Sequence, residues 1–204
     1  MTNTTPKRYW SQRVNPDGTW RSDPRTKLPL QPPGEDLAAM RSGLGRPAGS
    51  VPALWPFYTC PVDEQAALRG DVSVEQAAEH AALALFGLHQ QAQSIPMHRP
   101  KINLGKALKV LRGKEEKVSP VALDARVAAA ATATSVPALL YRLRGLIEQL
   151  RTVRQPVDYD QLMNDIRDWH YSDARLRARS RWGLGYYAWK PATPGDEESG
   201  SSQD

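Results

Sequence analysis

Residues 73–88 read SVEQAAEHAALALFGL, and this stretch decides the fold class. Ser73 followed by Gln76 is the pairing that closes a helix N-terminus, hydroxyl to backbone amide and side-chain amide back to the cap. From residue 77 to residue 88 the chain is apolar nearly all round. A helix without a polar face belongs in the middle of a fold, so this one is predicted to be central and buried.

Working outward, the same kind of start recurs. Asn103 can cap a helix over 104–112, and Ser119 precedes Pro120, whose fixed φ suits a first turn. Ser135 opens a longer helix with Leu139, Leu140, Leu143, Leu146, Ile147 and Leu150 at core spacing. Asp158, with Gln161 three residues on, opens another whose apolar stripe is Tyr159, Leu162, Met163, Ile166 and Trp169. Ser172 begins a last helix reaching Tyr187. On the N-terminal side, Leu37, Met40 and Leu44 keep helical spacing before Arg46-Pro47. Residues 51–61 set Trp55, Phe57 and Tyr58 among prolines, as a short helix or a packed irregular segment. Strand signals are nearly absent.

The expectation is therefore an all-α, two-lobed protein of about eight helices. Residues 1–33 form a basic, largely irregular extension with a turn at Asn15-Pro16-Asp17-Gly18, docked on the body through Tyr9, Trp10 and Trp20. Residues 34–117 form an N-terminal helical lobe, and residues 118–189, with their short connections, an antiparallel bundle. Residues 190–204 form a disordered acidic tail.

Charge bounds the function. The chain of 204 residues carries +5, yet its last ten residues hold four acids and no base, which leaves +9 on residues 1–194. A body that basic suits a polyanionic partner. An Ala- and Arg-rich genome bias with merely solvated charge gives the same composition, so composition alone leaves both readings open. The single cysteine, Cys60, excludes an internal disulfide and a cysteine-based zinc site. No run reaches 18 apolar residues and the N-terminus lacks a secretion signal, which predicts a cytoplasmic protein.

Catalytic patterns are weak. His80, His89, His98 and His170 show no metal-binding spacing and read as structural or surface residues. Asp158, Asp160, Asp165 and Asp168 form the only carboxylate cluster a metal-dependent nuclease could use. Asp158 is accounted for as a cap, and Asp165 and Asp168 as the solvated side of their helix. Gly43-Leu44-Gly45 and Gly183-Leu184-Gly185 lack the strand and lysine of a phosphate loop. The reading is a protein that is not an enzyme, with no catalytic residue, metal or cofactor.

The basic constellations carry more. In residues 104–112 the apolar positions fall on one face, and Lys106, Lys109 and Arg112 repeat every three residues on the other. Arg99 and Lys101 lead in and Lys114 and Lys117 follow, making seven bases against two acids over 99–117. A ridge of this kind can follow phosphates and release counterions. Arg175, Arg177, Arg179 and Arg181, beside Trp182, form a second set; on a helix they make two ridges, 175/179 and 177/181, which cannot both face one strand. Arg142, Arg144, Arg151 and Arg154 flank a Leu-rich stripe, with Arg126 one helix earlier, and form a third set, in which Glu148 lies one turn from Arg144 and can neutralise it. Arg41, with Arg46, flanks the Gly43-Leu44-Gly45 break.

The order of several segments resembles one family. Phe57-Tyr58 follows a proline-rich approach; then come Ile102-Asn103-Leu104-Gly105-Lys106-Ala107-Leu108, Pro156-Val157-Asp158-Tyr159 with Leu162 and Asp168-Trp169, and the Arg-rich stretch into Trp182. Over residues 37–187 this resembles the small subunit (CasB type) of the type I-E CRISPR surveillance complex, Cascade. The resemblance implies a two-lobed helical protein, present as two copies, lying beside guide RNA and target DNA and helping to hold the displaced strand of the R-loop. It implies the Cascade large and backbone subunits as partners, and cleavage by a separate enzyme. Carried over by position, basic contacts fall near Arg41, Lys106, Arg126 and the run after Trp169. The extension, the acidic tail and the four alternating arginines depart from that pattern. A sequence-specific helix-turn-helix regulator is the alternative for a basic helical chain.

Overall fold

The computed structural model describes residues 7–187. Over these the chain folds as nine α-helices and one 3-10 helix, with isolated bridges in place of strands. The elements are α1 (Tyr9–Arg13), α2 (Gly34–Arg41), the 3-10 helix Pro52–Phe57, α3 (Glu64–Leu68), α4 (Val74–Gln90), α5 (Leu104–Arg112), α6 (Pro120–Ala131), α7 (Val136–Thr152), α8 (Tyr159–Asp168) and α9 (Ser172–Tyr187). The expectation of about eight helices omitted α1 and α3. Each has five residues, too short to show a period. The acidic tail predicted over 190–204 lies outside the described residues.

The caps explain where the longer helices begin. Ser73 accepts from the Gln76 amide while the Gln76 side chain returns the bond, and Asn103, Ser119, Ser135 and Asp158 each accept from an amide three residues on. Each such bond satisfies an amide that has no partner inside its own helix.

α4 is the axis. Every residue from 78 to 90 is buried, and α2, α7 and α8 pack around it. Gly87 permits the α2 crossing, because a Cβ there would stand 2.6 Å from the Met40 Cβ. α5 packs on α9 at a similarly close crossing. A Cβ on Gly105 would collide with the Trp182 carbonyl, and one on Gly185 would lie 2.9 Å from the Lys106 amide. Gly105 and Gly185 are thus packing glycines of the α5–α9 crossing.

The N-terminal extension completes this core. Trp10 has no exposed surface, and its ring lies 5.8 Å from Phe86 and 5.5 Å from Tyr159. Its indole N–H donates to Asp160 at 2.8 Å. Arg8 reaches the buried Glu79, whose carboxylate also accepts from Thr59 and Cys60. Burial works to raise the Glu79 pKa, but the Cys60 and Thr59 bonds and the Arg8 charge outweigh it and hold the carboxyl below its ordinary value. A continuous apolar core consequently runs from Tyr9 to Tyr186. None of the described helices is long and apolar enough to cross a membrane.

Candidate nucleic-acid interface

α5 separates its two faces cleanly. Leu104, Ala107, Leu108 and Leu111 are buried, whereas Lys106 and Lys109 are exposed on the opposite side. Arg99 and Lys101 are exposed on the loop that enters α5, and Lys114 and Lys117 on the segment that leaves it. None of these six cations pairs with an acid among the described residues. Lys101 adopts a left-handed backbone, φ 70°, which a lysine tolerates at some cost. Its amide donates to Asp158 and its carbonyl accepts from the Lys106 ammonium, so the loop is tied to α8 and to α5.

Arg112 belongs to this ridge by spacing but is otherwise engaged. Its guanidinium forks onto Asp124 of α6 at 2.9 and 3.0 Å, and the Tyr186 hydroxyl of α9 donates to the same carboxylate at 2.5 Å. The bonds from Arg112 and Tyr186 hold the Asp124 carboxyl down at about 2. This clamp joins three helices, which makes Arg112 first of all a structural tie.

The arginines of α9 divide by partner. Arg175 donates to the carbonyls of Trp169 and Thr134, and Arg179 to that of Ala133 while lying over the Trp169 ring. Both therefore grip the end of α8 and the α6–α7 connection. Arg181 pairs with Asp165 at 2.6 Å and Asp168 at 2.9 Å. Arg177 alone of the four is exposed, with no hydrogen-bond or acid partner among the described residues. The division does not follow the two ridges, since within the 177/181 ridge Arg181 is paired and Arg177 is not.

The same contacts correct the expectation for Asp165. It is not on a solvated face: the residue is wholly buried. It sits one turn from Leu162 and from Trp169, on the flank of the apolar stripe, where α9 covers it. Its carboxylate accepts from Arg181, the Trp182 indole at 2.6 Å and Gln161 at 3.0 Å. Burial raises its pKa, with the bonds from Arg181 and Trp182 pulling the other way.

The four aspartates do not form one site. Asp158 and Asp160 lie near His98, close enough for all three to share an ion. Their oxygens already serve the fold, however: Asp158 caps α8 and accepts from Lys101, and Asp160 accepts from Trp10 and Ser11. His98 accepts from the Tyr159 amide, and burial holds its pKa below the ordinary value against the pull of Asp160 and Asp158. His80 bridges Tyr58 and the Gly43 carbonyl, pinning the Gly43-Leu44-Gly45 turn to α4. His89 is buried against Tyr159, with its pKa lowered by burial to about 3. His170 is exposed.

Arg126, Arg142 and Arg144 converge on a groove between α6 and α7. Arg144 pairs with Glu148 at 3.2 Å; Arg126 and Arg142 are exposed and have no acid partner among the described residues. Arg41 is half-buried at the end of α2, beside the Gly43-Leu44-Gly45 turn. Sequence reasoning missed Tyr141, which stands in the same groove 81% exposed. Its signal was present, since a large aromatic there falls off the apolar stripe of α7. Asp124, the acid of the Arg112 clamp, left no such signal, because its partners lie 12 and 62 residues away.

The family model described as CRISPR-associated protein Cse2 matches residues 36–187. No curated protein sequence matches the chain. Among solved structures, CasB from Thermobifida fusca is similar at 26% identity and a TM-score of 0.60, over 76% of this chain and 84% of that one. CasB of M. ruber follows at 20% identity, TM-score 0.57, over 78% and 87%. A Cse2-family CRISPR-associated protein from Thermus thermophilus aligns at 22% identity, TM-score 0.55, over 76% and 86%. These last two share the fold.

Proposed function

Because the chain belongs to the CRISPR-associated protein Cse2 family, as a CasB-type small subunit of Cascade, we propose that it grips nucleic-acid backbone without reading bases and so helps keep the R-loop open. The observation that carries this reading is a run of exposed cations with no ion-pair partner among the described residues, Lys106 and Lys109 on the outer side of α5, whose inner face is buried, and Arg99 and Lys101 on the loop that enters it. A cation without an acid partner, on a well-packed helix or the loop tied to it, can meet a phosphate without first breaking an ion pair. Arg177 and Arg126 with Arg142 extend the supply of free cations, whereas Arg112, Arg175, Arg179 and Arg181 serve chiefly to hold helices together.

R-loop formation exchanges one duplex for another of similar stability, so a few backbone contacts decide how long it stays open. The strands available in that state are the guide RNA, the target DNA and the displaced strand. In this reading the Cascade large and backbone subunits and a second copy of the chain complete the assembly. The chain itself acts without catalysis or cofactor. The test is reconstitution of the guide-bound complex with and without this chain, followed by target binding. We expect tight target binding and a long-lived displaced strand only with the chain present. Equal affinity and equal R-loop lifetime in its absence would contradict the proposal.

A further inference from the structure

The groove between α6 and α7 encloses about 730 Å³ and is open to solvent along one side. Its floor is made of small residues, Ala125 and Ala129 of α6 and Gly145 of α7. Gly145 is the informative one. It stands inside α7, where glycine is a poor helix former. Nevertheless a Cβ there would meet nothing within 4 Å. At Gly87, Gly105 and Gly185 a neighbouring helix demands the missing side chain; at Gly145 the chain itself demands nothing.

Tyr141, Gly145 and Gln149 follow one another at intervals of four, so they lie along one line of α7. Tyr141 presents its ring to solvent at 81% exposure. Arg142 beside this line and Arg126 across the groove are exposed and free of acids among the described residues. The one acid in the wall, Glu148, is neutralised by Arg144. An open aromatic face, a clear space over Gly145 and two guanidinium groups without acid partners therefore meet in one place.

We propose that this groove receives an unpaired stretch of nucleic-acid strand. One base stacks on Tyr141 above Gly145, and Arg126 and Arg142 meet the flanking phosphates. The proposal rests on the backbone-gripping function above and adds a selectivity to it. In a duplex every base face is already stacked, so only a single strand can offer one to Tyr141, and stacking of this kind tolerates any sequence. An acidic peptide would also be attracted by the arginines but has no use for an exposed ring over a glycine floor.

The test is fluorescence anisotropy with the full chain, a labelled 20-nucleotide single strand of mixed sequence, and the same sequence as duplex. Tyr141→Ala should weaken single-strand binding roughly tenfold and leave the duplex unchanged. Tyr141→Phe should bind as the unaltered protein does, since the ring and not the hydroxyl is used. Gly145→Leu should match Tyr141→Ala in binding while melting no lower than the unaltered chain, because its side chain enters open space and blocks only the groove. If Tyr141→Ala and Gly145→Leu leave both probes unchanged while charge reversal at Lys106 and Lys109 weakens them, the groove proposal is overturned and the ridge reading stands. Binding of a labelled glutamate-rich peptide that depends on Tyr141, with single-strand binding that does not, would assign the groove to a protein partner and overturn it too. Failure of the unaltered chain to bind either nucleic acid would remove the functional reading itself.

Discussion

Reversing charge at Lys106 and Lys109 together is expected to weaken binding of both single- and double-stranded DNA by about a hundredfold at low salt, without unfolding the protein. Both side chains are exposed and neither pairs with an acid. A unit-charge contact at 4 Å is worth about 1 kcal/mol in water, and replacing attraction by repulsion at two positions comes to a few kcal/mol before screening. The loss should be the same for unrelated sequences, because nothing in the ridge addresses a base edge. Arg112 is best left intact in this experiment. Reversing it would put two carboxylates face to face at Asp124 and confound binding with the loss of the α5–α6–α9 clamp. Electrophoretic mobility shift checks the binding, and far-ultraviolet circular dichroism the fold. Unchanged affinity at low salt would remove the ridge from the interface.

Asp165→Ala is expected to be the most destabilising single exchange at a charged position. It leaves the Trp182 indole without its acceptor and strips Arg181 of the nearer of its two carboxylates. Breaking a buried pair from one side costs about 3–5 kcal/mol. Arg181 is a third exposed and keeps Asp168, which places this case near the lower end, about 3 kcal/mol. In a chain of this size that corresponds to a melting temperature lower by roughly 6–12 °C. Asp165→Asn keeps the shape and one acceptor and should melt between Asp165→Ala and the unaltered chain. Thermal unfolding followed by circular dichroism decides the matter; a shift of less than about 1 °C would mean that the α8–α9 contact is not held by this carboxylate.

What could be read in the sequence was what local chemistry writes there. Ser73, Asn103, Ser119, Ser135 and Asp158 all cap the helices they precede, because a cap needs only an oxygen and an amide three residues on. The burial of α4 followed from the lack of any polar face. Short elements were hidden for the same reason in reverse: α1 and α3 complete little more than one turn, and α1 is held by Tyr9 and Trp10 packing on distant helices.

The candidate interface was legible only as a list of cations. Which of them are free depends on long-range contacts that no spacing records. Arg175 and Arg179 are drawn to carbonyls some 40 residues away, Arg181 to α8, and Arg112 to an acid of α6. Lys106, Lys109 and Arg99 have no acid partner among the described residues, although Lys106 donates to the Lys101 carbonyl. Tyr141 and Gly145 were visible as departures from the core pattern of α7, but their meaning emerged only once α6 was seen to stand off from them.

In the proposed function, lysines and arginines without acid partners on packed helices hold sugar-phosphate chains through charge and without reading bases. The most direct measurement is the salt dependence of binding to two strands of unrelated sequence, for the unaltered chain and for the Lys106→Glu, Lys109→Glu pair. Parallel lines of log affinity against log salt are expected for the two sequences, with a slope shallower by about two units in the variant. A large affinity gap between the sequences, as a base-reading regulator would give, or an unchanged slope in the variant, would contradict it.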